Sequence, residues 1–163
     1  IDFELEYGKA TIEVHKDSIQ KNEKILVIDD LIATGGTAEA AAKLIEISGG
    51  KVASFIFVIN LFDLPGNNLL KNKGYNVGVY APPASSGWSF KAYGDVIIRN
   101  QMTLSFNKYL KVKCGENNIM VVDISQQMIL PNGTTDTKYL VDELHLSQEA
   151  MPLLEDAFKT FKK

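Results

Sequence analysis

Residues 25 to 37 read Ile-Leu-Val-Ile-Asp-Asp-Leu-Ile-Ala-Thr-Gly-Gly-Thr, an apolar run that ends in two carboxylates and a glycine-centred turn. Ile25 to Ile28 show no alternation of apolar and polar residues, which is the pattern of a strand covered on both faces. Ala38 to Ile47 (Ala-Glu-Ala-Ala-Ala-Lys-Leu-Ile-Glu-Ile) are strong helix formers. A doubly covered strand that passes through a short turn into a helix is the opening of a parallel strand–helix–strand unit, so the stretch points to an α/β chain.

The turn also has a chemistry. At a helix N-terminus the amides of Ala33, Thr34, Gly35, Gly36 and Thr37 would face an anion together with the positive end of the helix dipole. Gly35 and Gly36 would let the backbone approach a phosphate closely, and the Thr34 and Thr37 hydroxyls would add donors. Asp29 and Asp30 are placed to accept hydrogen bonds from ribose hydroxyls or to help hold a magnesium ion. The competing reading is a tight strand-to-helix connection beside a solvated strand end. Two acids directly after the strand, and a threonine on each side of the glycines, favour the phosphosugar cradle.

These residues resemble the phosphoribosyl-diphosphate motif of type I phosphoribosyltransferases. The resemblance runs from about Ile1 to Tyr80 and is nearest to adenine phosphoribosyltransferases. It is carried by Leu5-Glu6-Tyr7-Gly8-Lys9, by Ile12-Glu13-Val14-His15-Lys16-Asp17, by the motif itself, and by Asp63-Leu64-Pro65-Gly66 after the next strand. It implies that Glu6 and Tyr7 take the catalytic-loop positions that close over the reacting ribose, and that Asp29, Asp30 and Ala33 to Thr37 bind the phosphoribosyl group. Magnesium would accompany such a ligand, and no other cofactor is required. The pyrophosphate-binding loop and most of the base-binding hood of that family find no counterpart in these residues. Without donors on the departing pyrophosphate, binding of a small-molecule phosphate or ribose phosphate is expected to outlast catalysis.

The last third has a different character. Asn117 to Ser125 read as another buried strand, and after a polar loop comes Tyr139-Leu-Val-Asp-Glu-Leu-His-Leu-Ser147. Asp142 and His145, in the spacing Asp-x-x-His before a helix, resemble the final block of SGNH (GDSL-type) esterases, whose histidine is the general base and whose aspartate orients it. Pro82-Pro83 after a strand, a long helix near Asn100 to Lys113 and the Val-Asp-Ile-Ser strand follow that family's order. The Gly-Asp-Ser nucleophile block is missing. Ile28-Asp29-Asp30-Leu31 stands where Gly-Asp-Ser-Leu would be, which puts Asp30 in the place of the serine, and a carboxylate there cannot form the ester intermediate. The alternatives are therefore a residual esterase using Asp142 and His145, or a folded scaffold without function.

Each half lacks what the other replaces, and the change falls near Tyr80 to Pro82. Both families use parallel sheets with helices on each face, so a crossover at a strand end would keep the strand, loop and helix geometry. No Gly-, Ser- or Pro-rich linker separates the halves, as a fusion of two whole domains would show. An engineered or recombined chimera is expected, with residues 1–163 forming a single α/β domain and its seam near 80–82. The expected architecture is a three-layer α/β/α sandwich with a mainly parallel sheet and a short N-terminal antiparallel ribbon, Phe3 to Tyr7 with Thr11 to His15. Strands are expected at 25–29, 52–60, 77–81 and 119–124, and helices at 37–48, 67–73, 96–113 and 148–161. Gly49-Gly50 should end the first helix, and Ser147 should cap the last, whose stripe is Leu153, Leu154, Ala157, Phe158 and Phe161. Ile98, Met102, Phe106, Tyr109, Leu110 and Lys113 form one side of the third helix and read as a core stripe.

Composition narrows the partners. A chain of 163 residues with 45% apolar residues and a net charge of −3 suits one globular core and gives a polyanion or membrane surface little to attract. Nucleic-acid and membrane partners are therefore not expected, whereas a homodimer is admissible. A lone Cys114 excludes an internal disulfide and fits a reducing, cytoplasmic compartment. His15 reads as an exposed strand residue, Trp88 as a plug under a loop, and two distant histidines with one cysteine make no zinc site.

Overall fold

The computed structural model describes residues 2–5, 8–87 and 95–159, and for 2–5 and 8–10 the backbone only. Glu6, Tyr7, Trp88 and Phe161 lie outside the described residues. The chain divides into two compact units, Ile1–Val79 and Tyr80–Lys163.

The first unit opens with an antiparallel ribbon of β1 (Asp2–Leu5) and β2 (Gly8–Thr11). The second ribbon strand lies four residues earlier than the sequence suggests, so exposed His15 sits in a loop, where its carbonyl accepts from the Ser18 amide and hydroxyl. Then follow β3 (Lys24–Ile32), α1 (Gly36–Ile47), β4 (Lys51–Asn60), α2 (Gly66–Asn72) and β5 (Val77–Tyr80). β3 pairs parallel with β4 and β4 with β5, with one register shift where Ala53 of β4 is skipped between the Ile25 and Leu26 partners. The parallel strand–helix–strand unit inferred from residues 25–47 is thus the framework of this half, and the fold is α/β with a parallel sheet.

Its core forms where α1 lies on the sheet. Ala38 and Ala42 pack with Ile32, Phe55, Phe57, Leu70 and Val77, with Val27, Val52 and Tyr75 around them. Small alanines let the helix approach, and the two phenylalanines stack with centroids 6.1 Å apart. α1 ends as Gly49-Gly50 foretells. Gly49 takes φ +92°, its amide donates to the Glu46 carbonyl and that of Gly50 to Ile45, the crossed pair of a helix-ending glycine motif.

The second unit holds α3 (Val96–Glu116), β6 (Met120–Val122), α4 (Ser125–Met128) and α5 (Met151–Lys159), with 3-10 turns at Thr137–Tyr139 and Gln148–Ala150. Ile124, Met128 and Ala150 form its apolar centre, and Leu153, Leu154 and Ala157 of α5 pack against it as expected.

α3 departs from the sequence reading. Its apolar stripe faces outward: Ile98, Met102, Phe106 and Tyr109 are all more than half exposed. The inward face is Asn100, Asn107, Leu110 and Cys114. Asn100 explains the inversion. Its Oδ1 accepts from the Ser85 amide (3.1 Å) and hydroxyl (3.0 Å), and its Nδ2 donates to the carbonyls of Ser85 (3.0 Å) and Gly133 (3.2 Å). Asn107 Nδ2 donates to the Pro82 carbonyl at 2.7 Å. The helix is thus oriented by satisfying loop backbone at 82–85 and 133, which a hydrophobic period cannot reveal. Ser147 stands at the N-cap of the 3-10 turn that leads into α5, as expected, but its side chain does not cap it. Its hydroxyl donates to the Lys138 carbonyl (2.6 Å), and its amide to Tyr139.

Candidate functional site

The turn between β3 and α1 is shaped by two glycines that meet. Gly35 is the residue before the helix and takes φ +90°, left-handed space that side chains rarely adopt. A Cβ on Gly35 would lie 2.9 Å from the Gly66 Cα, and a Cβ on Gly66 would press on the Ala33 carbonyl oxygen and lie 2.8 Å from the Gly35 nitrogen. The Gly66 amide donates to that Ala33 carbonyl at 3.0 Å. The loop after β4 therefore buttresses the turn, and Gly66, which the sequence marks only as Pro-Gly before a helix, is part of the site's construction.

Because Gly35 stands at the N-cap, no side chain caps α1. Its first backbone bond is Glu39 N–H to the Gly35 carbonyl, so the amides of Gly36, Thr37 and Ala38 precede the helical ladder. Gly35 is buried against Gly66, Ala33, Thr34 and Gly36 are partly covered, and Thr37 is exposed. The one acid in the first turn, Glu39, is held by Lys73 (2.8 Å) and Lys43 (3.0 Å), which keep its carboxyl below the usual range. What the turn presents outward is a set of donors at the positive end of a twelve-residue helix.

Asp29 and Asp30 both lie inside β3, where successive side chains leave opposite faces. Asp29 is half-buried and Asp30 exposed, and the Asp29 Oδ1 accepts the Asp30 amide at 2.9 Å. Burial, and next to it the neighbouring carboxylate, raise the Asp29 pKa. Among the described residues no group of three or more His, Cys, Asp or Glu side chains is placed to hold a metal ion.

Sequence reasoning passed over the polar atoms at the end of β4. Asn60, in register with Ile32, is buried, and neither of its amide atoms has a partner among the described residues; the same holds for Oδ1 of Asn67 beside Gly66. An asparagine ending an otherwise apolar strand, Phe-Ile-Phe-Val-Ile-Asn, was the available signal.

In the second unit Asp142 and His145 do meet. His145 Nδ1 and Asp142 Oδ2 are 2.7 Å apart, and Asp142 Oδ1 accepts the His145 amide at 2.8 Å. The intervening turn is closed by the Val141 amide on the His145 carbonyl, with Glu143 at φ +72°. These bonds, the backbone amide of His145 foremost, hold the Asp142 carboxyl down at about 2. The pair is mostly exposed, so nothing there excludes water as a desolvated catalytic base requires.

A further acid, absent from the sequence reading as a site, is an enclosed carboxylate. The Asp123 side chain is 4% exposed, pairs with Lys111 Nζ at 2.6 Å, and accepts the Ser125 amide and hydroxyl. Burial alone would raise its pKa, but the ammonium and the two Ser125 donors together outweigh it and the carboxyl lies below its ordinary value. Tyr80, half-buried with its hydroxyl enclosed, is pushed up to about 12 by that burial and then by the Asp123 charge. Cys114 is fully buried, not semi-buried, and its thiol is pushed up to about 11 by that burial.

Comparison with known proteins finds two kinds of likeness. Over 77 residues, 47% of this chain, it is 70% identical to the adenine phosphoribosyltransferase of Pelagibacter ubique, and over 76 residues 53% identical to that of Ruegeria pomeroyi. The chain spans less than half the length of these relatives, 44% and 42%. In overall fold it is similar to a GDSL-like lipase from Bacteroides thetaiotaomicron, with a TM-score of 0.57 over 89% of this chain and 92% of that one, at 12% identity. No family model matches the chain. One segment is thus phosphoribosyltransferase-like in sequence, and the α/β fold is shared with GDSL-like hydrolases. Among the described residues no helix is long and apolar enough to cross a membrane.

Proposed function

We propose that this chain is a phosphate- and ribose-phosphate-binding α/β protein that keeps the phosphoribosyltransferase cradle, was assembled by recombination with an SGNH-type partner, and has little or no catalytic activity. The observation that carries the reading is the β3–α1 turn: a helix start with glycine at its cap, uncommitted amides at Gly36 and Thr37, and a backbone buttress at Gly66, within a segment 70% identical to an adenine phosphoribosyltransferase. Recombination is supported by the division of the chain at Val79/Tyr80, next to the seam near 80–82 expected from the sequence.

The reading stops at binding. Transfer needs groups on the departing pyrophosphate, and none of the residues that match the family's motifs supplies them. Glu6 and Tyr7 would act on a ribose already in place. With the two carboxylates on opposite faces of β3, a magnesium ion carried by a phosphoribosyl ligand would meet one of them and not both. A cytoplasmic setting belongs to the same reading, since a single buried thiol suits a reducing compartment.

The test is a titration with ribose 5-phosphate followed by amide resonances. Shifts confined to residues 33–38, saturating with a dissociation constant of about 0.1–1 mM and abolished in Gly36→Val, are expected. Amides that stay still at tens of millimolar phosphate would leave only a scaffold.

The formed Asp142–His145 pair favours a second reading, a residual esterase. A general base without a nucleophile and oxyanion donors has nothing to activate. Hydrolysis of an aryl acetate above background, lost in His145→Ala, would establish this reading over the first.

A further inference from the structure

We infer that β3 is a self-complementary edge through which two copies of this chain pair antiparallel, extending the sheet of one first unit into that of the other. The sheet order begins with β3, and among the described residues no strand pairs with its outer side. At nine residues it is long for an edge strand, and it has no proline. Lys24 opens the strand and Asp29-Asp30 are its sixth and seventh residues, so the charges flank the uncharged run Ile25 to Ile28, and Leu31 and Ile32 follow them. Edges that stay single are often shortened, bulged or charged throughout; β3 is long, its one register shift falls on β4, and its charges leave the run Ile25 to Ile28 clear.

The register follows from geometry. In a strand, N–H and C=O groups turn alternately toward β4 and away from it. Two antiparallel residues can oppose one another only when both turn outward or both inward, so residue numbers change in steps of two. The allowed register that sets Lys24 opposite Asp30 of the other copy also sets Leu26 opposite Ile28, with Val27 opposite itself on the two-fold axis. Neighbouring registers set Lys24 against Ile28 or Ile32, and a further step sets Asp29 against Asp29. Charge complementarity therefore selects the first.

That register also resolves an oddity of the fold. Ile28 is 63% exposed in mid-strand. It shares a sheet face with Lys24, Leu26 and Asp30, while Val27 of the other face packs in the core. Pairing places Leu26 beside Ile28 twice, a four-residue apolar cluster bracketed at each end by a Lys24–Asp30 ion pair. Such cross-strand apolar and ionic pairs are the elements of sheet stability.

The occupant is thus a second copy, and charge reversal tests it. Sedimentation or light scattering at about 100 µM, a range in which small interfaces associate, should give twice the 18.0 kDa chain mass. Lys24→Asp and Asp30→Lys, each alone, turn both ion pairs into repulsions and should weaken association at least about tenfold. Mixing the two variants should restore a one-to-one dimer, because one copy then offers two acids to the other's two bases. That rescue also proves both variants folded. A monomeric parent chain, single variants that dimerise like the parent, or a mixture that stays monomeric would each overturn the pairing. The ribose 5-phosphate titration is read on 33–38 amides and its outcome is independent of these.

Discussion

A single methyl group distinguishes the two glycines of the cradle from ordinary turn residues. Gly66 does not need an unusual φ; it needs the absence of a Cβ, because the Ala33 carbonyl and Gly35 nitrogen occupy that space. Neither neighbour is a flexible side-chain end, so Gly66→Ala must move backbone. A loss of about 1–3 kcal/mol in denaturant unfolding is expected, together with loss of the phosphate response. Gly115, whose Cβ would meet nothing and whose φ is not positive, is the control for space alone. The second prediction concerns Asp123. Lys111→Met leaves an enclosed carboxylate with the Ser125 donors only, and since Lys111 is itself half exposed the cost should fall at the low end of about 1–3 kcal/mol. The sign with pH is fixed by the lowered pKa. Stability from Asp123 is fully present above its ordinary 3.8 and is lost as pH falls through the lower folded value. The Lys111→Met penalty should therefore shrink in acid, as unfolding curves at pH 7 and below pH 4 would reveal.

Elements were legible to the extent that local chemistry dictates them. β-branched runs mark β3 and β4, alanines mark α1, and Gly49-Gly50 mark its end, all decided within a few residues. The Asp142–His145 contact was legible for the same reason, being three residues apart in one turn. What could not be read depends on distant backbone. The inward face of α3 is set by carbonyls and an amide at 82–85 and 133, and the Ser147 hydroxyl is drawn to Lys138. The two faces of α3 make opposite predictions. Met102→Lys should change stability by no more than about 0.5 kcal/mol, whereas Leu110→Ala should cost about 2–3. Asn100→Ala should cost at least as much as Leu110→Ala, because four bonds are lost and buried loop groups of Ser85 and Gly133 are orphaned. If Met102→Lys proved as damaging as Leu110→Ala, the hydrophobic period would have been the better guide.

At the scale of the molecule the chain carries its proposed ligand donors and its enclosed acid in different units: the β3–α1 turn before Val79, Asp123 and Asp142 after Tyr80. Each unit has its own apolar cluster, so agents that act on one need not stabilise the other equally. A ligand held a hundredfold above its dissociation constant stabilises whatever cooperative unit contains its site by about 2.7 kcal/mol. Hydrogen exchange distinguishes how far that stabilisation spreads. With saturating ribose 5-phosphate, amides of α1 and β3 should slow by about a hundredfold, since 2.7 kcal/mol corresponds to two decades in an opening equilibrium. Amides of β6 and α5 should slow much less if they open by a separate route. Acid should act the other way round, accelerating exchange around β6 first as the Asp123 carboxylate is protonated. Equal slowing of both units by ligand would mean that they open together, and that the boundary at Val79/Tyr80 divides contacts but not stability.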